Sequence, residues 1–198
     1  MLKKTRTKGG PFKVPILGWL ALYSFVGLLA LTGGASRFDA VQIVPLRALS
    51  AAYLVFSMMF INREGVRSER ALFVLFIGFV LVVAIQLAPL PPSVTENLAG
   101  RINAARIAGA VGTEDNWRPL TLAPMRTWNA FASLVVPAAG LFLATSLNAS
   151  SKTLLRMIVA LGVVNALLGL LQILAGRSSF LYLYEVTNRG SPVGIFAN

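Results

Sequence analysis

The side chains in this sequence that could act on a charged ligand are arginines. Arg37, Arg47, Arg101, Arg106, Arg118, Arg126, Arg177 and Arg189 all fall between long apolar runs or near their ends. A guanidinium presents a planar fork of N–H donors that meets two phosphate oxygens at once, whereas a lysine ammonium acts as a point charge. Lysine is absent from this set and sits instead at Lys3, Lys4, Lys8, Lys13 and Lys152. The composition therefore favours a ligand with a diphosphate group. The sequence has no histidine and no cysteine, which excludes disulfides, Cys/His zinc sites, thiol nucleophiles and a histidine base. No catalytic residue, metal or cofactor is expected of this chain by itself.

Arg189 opens a turn-rich stretch, Arg189-Gly190-Ser191-Pro192-Val193-Gly194, and the family resemblance that this stretch carries, given below, makes it the first diphosphate-binding candidate. Its competing role is structural, as part of a loop whose turns come from Gly190 and Gly194. Arg118 and Arg47 rank below it. Arg47 lies near one end of an apolar run, where it either anchors at the membrane interface or contacts an anion in a cavity.

These arginines need a membrane scaffold to hold them. Over 198 residues the chain is 56% hydrophobic and 13% charged, with a mean hydropathy of +0.73, too apolar for a soluble domain of this size. Apolar runs cover 14–32, 41–61, 71–88, 125–147 and 153–175. Each approaches the roughly 20 residues that span a bilayer as helix, and a membrane barrel would show shorter alternating segments. The expectation is an all-α integral membrane fold with five transmembrane helices. Residues 1–13 carry five basic side chains and no acid, which places the N-terminus of a multi-pass membrane protein in the cytoplasm; that the membrane is the bacterial inner one is what the resemblance given below implies. A signal peptide cleaved near Gly33-Gly34-Ala35 is the competing reading, although the run before it exceeds a usual signal core. The net charge of +11 forms no continuous basic face; topology and anionic membrane lipid account for it, and nucleic acid is not expected as a partner.

Between the spans, 62–70 and 148–152 read as short inner loops, and 89–124 as a longer outer one. Pro89, Pro91 and Pro92 end the third span. Ser93 to Glu96 has the form of a capping box, and Val94, Leu98, Ile102, Ala105 and Ala108 recur at helical spacing. This predicts an amphipathic helix over about 93–111 on the outer membrane surface, with Arg101 and Arg106 beside lipid phosphates. Pro137 should bend the fourth span. On the fifth, Gly162, Asn165, Gly169, Gln172 and Gly176 form a stripe. Its two amides, Asn165 and Gln172, either bond across to another helix or line a cavity.

Three passages, in order along nearly the whole chain, resemble the O-antigen ligase and O-antigen polymerase family of bacterial membrane glycosyltransferases. Gln86-Leu87-Ala88-Pro89-Leu90-Pro91-Pro92-Ser93 is similar to the family's exit from its third span. Trp117-Arg118-Pro119-Leu120-Thr121-Leu122-Ala123-Pro124 is similar to its "RPLSLDP" approach to the next, with Ala123 in place of aspartate and Thr121 left as the candidate helix cap. Ala166-Leu167-Leu168-Gly169-Leu170-Leu171-Gln172, followed by the segment from Arg189 to Asn198, is similar to "ALLGLLQ" and then "GTFxNxNHxA", with Ile195 where threonine is commoner.

The resemblance implies a larger protein of about a dozen helices, whose later half carries a periplasmic loop with the catalytic histidine. Such enzymes move a glycan from an undecaprenyl-diphosphate carrier to an acceptor sugar without metal. On that basis the chain is expected to be an N-terminal part, with 176–198 the beginning of a periplasmic loop. Its partners would be membrane lipid, the undecaprenyl-diphosphate-linked glycan and the missing C-terminal half, and it would be inactive alone. The rival expectation is a non-enzymatic multi-helix membrane protein that binds lipid or assists envelope polysaccharide assembly.

Overall fold

The computed structural model describes residues 16–32, 43–61, 63–95, 97–98, 100–113, 115–176, 179–183 and 189–195. The basic segment 1–13, Arg37, Glu96 of the capping box, Arg177 and residues 196–198 lie outside these ranges. Along the described residues the chain forms α1 (Ile16–Thr32), α2 (Ile43–Met58), α3 (Arg63–Ser68), α4 (Arg70–Leu87) and strand β1 (Pro89–Leu90). There follow α5 (Pro92–Thr95), α6 (Ile102–Ala110), strand β2 (Arg118–Pro119), α7 (Pro124–Ser133), α8 (Val135–Ser146) and α9 (Ser151–Ala175).

The architecture is helical and of membrane type. Three segments are long and apolar enough to cross a bilayer: α4, α7 together with α8, and α9. The other two apolar helices are shorter, α1 with 17 residues and α2 with 16. Both adjoin residues outside the described ranges, and at 1.5 Å per residue their described parts reach about 25 Å.

Local chemistry sets the helix ends. Helix α4 stops where Ala88 turns extended, with ψ 126°, because the following Pro89 disfavours helical geometry at the residue before it. Helix α9 starts at Ser150, whose side chain accepts the Thr153 N–H. The fourth apolar run breaks at Leu134. Pro137, three residues later, cannot donate to the Ser133 carbonyl, and its ring crowds that group.

The helix expected over 93–111 is corrected by the structure to two shorter ones, α5 and α6. Gly100, between them, has φ +81°, a left-handed conformation that no continuous helix contains and that glycine adopts without penalty. Strand β1 pairs antiparallel with β2, Pro89 opposite Pro119 and Leu90 opposite Arg118. With a proline in each strand, only Leu90 and Arg118 have N–H groups to offer, which holds this ladder to two residues.

The core lies among α1, α2 and α8. Leu22 and Phe25 of α1 meet Ala139 and Leu143 of α8 and Leu147 just beyond it, flanked by Tyr53, Leu54 and Phe56 of α2. The Phe25 and Tyr53 rings pack edge to face at 5.3 Å, and the Tyr53 hydroxyl lies 2.8 Å from Ser24 Oγ. Helices α2 and α8 approach closely because their facing positions are small: Ser50 and Ser57 on one, Ala138 and Ala139 on the other, all buried. Helix α4 buries no residue, and α9 buries only Gly169 and Gln172. The first two turns of α9 place Leu154 and Met157 on the core.

Ala139 is fully buried. Ala139→Leu should overpack the α1–α2–α8 junction and cost about 1–3 kcal/mol of stability. Thermal unfolding in detergent measures this, with Ala160→Leu on the exposed side of α9 expected to leave the midpoint unchanged.

Candidate functional site

Arg47 sits one turn into α2 and reaches across to α7. Its Nη2 donates to the Asn129 carbonyl and to Asn129 Oδ1, both at 2.7 Å, and to Ser133 Oγ at 2.6 Å. Nε also donates to Ser133 Oγ, at 3.2 Å. Ser133 and Asn129 lie one helical turn apart, so a single guanidinium fits both. In this geometry Arg47 ties α2 to α7.

The segment before α7 is held by two more arginines. Arg101, at the N-terminal edge of α6, is only 6% exposed and donates from Nη2 to the carbonyls of Pro119 and Leu120. Arg118 donates to the Thr113 carbonyl and, at 3.3 Å, to the Thr113 hydroxyl. The backbone N–H of Thr121 donates to the Gln86 carbonyl at 2.9 Å. The Thr121 hydroxyl accepts the N–H of Ala123 at 3.1 Å and lies 2.8 Å from the Thr127 hydroxyl. The stretch around Arg118 is thereby fastened to the end of α4. Arg101 was expected beside lipid phosphates; its burial against carbonyls assigns it instead to the protein interior. Arg106 is exposed.

The closing segment 189–195 lies on the polar stripe of α9. Gln172 is fully buried. Its Nε2 donates to the carbonyls of Gly194 at 2.8 Å and Leu181 at 3.0 Å, while its Oε1 accepts the Gly194 N–H at 2.8 Å. Two turns earlier, Asn165 Oδ1 accepts the Ile195 N–H at 2.8 Å. Between them Gly169 leaves room for Pro192, which stands 3.3 Å from where a Cβ would be. Asn165 and Gln172 thus bind the backbone of the returning chain, an arrangement different from a bond to a neighbouring helix. Gly194 has φ +62°, and a side chain there would collide with the Asn165 amide.

Tyr182 completes this arrangement, and sequence reasoning missed it. It is 6% exposed and its hydroxyl accepts the N–H of Gly190 at 2.8 Å. The one available signal was a polar-tipped aromatic between Leu181 and Leu183, ahead of the glycines. Arg189, adjacent to that bond, is exposed, and no hydrogen bond or ion pair is found for it among the described residues.

The chain matches no family model, no curated protein and no solved structure. What the site can do is therefore argued from its geometry. No contact among the described residues joins Arg47, Arg118 and Arg189 to one another. The guanidiniums of Arg47 and Arg118 bond protein acceptors, whereas that of Arg189 stands on a fastened loop with its donors open to an anion. Among the described residues no group of three or more Asp, Glu, His or Cys side chains could hold a metal ion.

Arg47→Met should leave Ser133 and Asn129 without their charged donor and destabilise the protein by about 1.5–3 kcal/mol. Unfolding of Arg47→Met, Ser133→Ala and the double variant checks this, with a double-variant effect smaller than the sum of the singles.

Proposed function

We propose that this chain is the N-terminal part of an O-antigen ligase-like membrane glycosyltransferase, and that Arg189 holds the diphosphate of an undecaprenyl-diphosphate-linked glycan. The observation that carries this reading is the closing loop: its backbone is fastened to α9 by Asn165 and Gln172 while Arg189 remains exposed and unpartnered among the described residues. Supporting it, the first two passages that resemble the family meet each other, and the two parts of the third meet. Gln86 to Leu90 meets Arg118 to Thr121, and Gly169 with Gln172 meets Pro192 and Gly194.

In the reaction the bond from the anomeric carbon to a diphosphate oxygen breaks, and the acceptor hydroxyl oxygen takes the carbon. The acceptor proton passes to a base. Negative charge grows on the leaving diphosphate, and a guanidinium poised there lowers the barrier by stabilising it. The resemblance implies a histidine as this base, and the chain has no histidine. Arg47 and Arg118 support the fold around this site in the proposal, since their donors already meet protein acceptors.

The protein in lipid nanodiscs should bind undecaprenyl diphosphate and not undecaprenol. Loss of one charge-assisted phosphate contact in Arg189→Ala should weaken binding by about tenfold or more. Equal affinity of Arg189→Ala and the unaltered chain, or equal affinity for undecaprenol, rules the reading out.

A further inference from the structure

We infer that Gln172 and Tyr182 are positioning residues, which together form a latch that orients the peptide bearing Arg189. The inference rests on the diphosphate role proposed above for Arg189.

Gln172 uses every polar group of its side chain. A carboxamide offers two N–H groups and one carbonyl oxygen, and buried in apolar surroundings each of these that goes unpaired is costly. All three are used here. Gly194 receives two of them, one to its carbonyl and one from its N–H, so the side chain pairs with a residue of the loop much as one strand residue pairs with another. The third goes to the carbonyl of Leu181. One amide therefore joins the segment leaving α9 to the segment that closes the loop.

Leu181 immediately precedes Tyr182, and the Tyr182 hydroxyl accepts the Gly190 N–H. That N–H belongs to the peptide linking Arg189 to Gly190. The contacts make a continuous path: Gln172 to Leu181, Tyr182 to Gly190, and Gly190 to Arg189. Gly190 has φ +98°, a conformation that leaves the direction of the chain at this point to be set by such external bonds. The far end is set independently, because Gly194 lies too close to the Asn165 amide for any residue with a side chain. A one-residue slip of the loop would place Val193 or Ile195 there.

A flexible loop carrying an arginine must lose conformational freedom when it binds an anion; a loop already latched has lost it beforehand and binds more tightly. Gln172 and Tyr182 thereby raise diphosphate affinity without touching the ligand.

The absence of cysteine allows a clean test with a single nitroxide label placed by Ser191→Cys, at an exposed loop position. The full chain in nanodiscs should show a constrained label. Tyr182→Phe, which removes only the hydroxyl, and Gln172→Leu, which removes all three bonds, should each release it. Both should weaken undecaprenyl diphosphate binding by about three- to tenfold with Arg189 intact. Thermal unfolding identifies any variant that fails to fold, and Tyr182→Phe, a one-atom change, keeps the test available if Gln172→Leu does. A label equally constrained in Tyr182→Phe overturns the latch. A released label with unchanged affinity overturns the positioning role. If the unaltered chain binds no undecaprenyl diphosphate, the function proposed above falls and the positioning role falls with it, while the label alone judges the latch.

Discussion

A carboxamide buried on an apolar helix must find partners for every polar atom, since each unpaired group costs about 2 kcal/mol or more. Gln172 meets that demand with the backbone of two segments that have no regular structure of their own. Residues 189–195 contain Gly190, Gly194 and Pro192, and apart from the Val193 N–H on the Ser191 carbonyl the bonds described for their backbone go to side chains outside the segment. The helix needs the loop to satisfy its amide, and the loop needs the helix to satisfy its backbone. That mutual need gives Arg189 a defined place on a segment with no secondary structure.

The same demand organises the other loop region, with arginine in the amide's role. The carbonyls of Pro119 and Leu120 receive Arg101, that of Asn129 receives Arg47, and that of Thr113 receives Arg118. Arg101 and Arg118 satisfy backbone acceptors in an irregular segment between helices, while Arg47 bonds an acceptor within α7. Arg189 differs by pairing with nothing among the described residues. Residue type alone put the arginines in one class, and hydrogen bonding divides them into structural cations, Arg47, Arg101 and Arg118, and exposed cations with no bond among the described residues, Arg106 and Arg189.

Much of the fold was legible from local signals. The run over 71–88 became α4 almost residue for residue, because Pro89 ends it by sterics that act between neighbours. Pro137 announced the break at Leu134, while the start of α9 fell two residues before the expected 153, where Ser150 caps it. The helix expected over 93–111 failed at Gly100, where apolar spacing suggested continuity and the backbone turned left-handed. The candidate site was half legible. The stripe from Gly162 to Gly176 and the loop after Arg189 were both visible, but their contact was not, and Tyr182 was missed because one tyrosine carries no periodic signal.

By itself the sequence determined the helical membrane character, the end of α4 at Pro89, and which chemistry is possible: guanidinium contacts to an anion, with no histidine or cysteine to act as base, nucleophile or metal ligand. These follow from composition and from interactions spanning a few residues. Only the tertiary structure decided which polar groups meet. Gln172 finds Gly194 at a separation of 22 residues and Arg47 finds Ser133 at 86. Periodicity shows which face of a helix is polar, yet what covers that face depends on the path by which the chain returns, and that path is set by the packing of all the helices together.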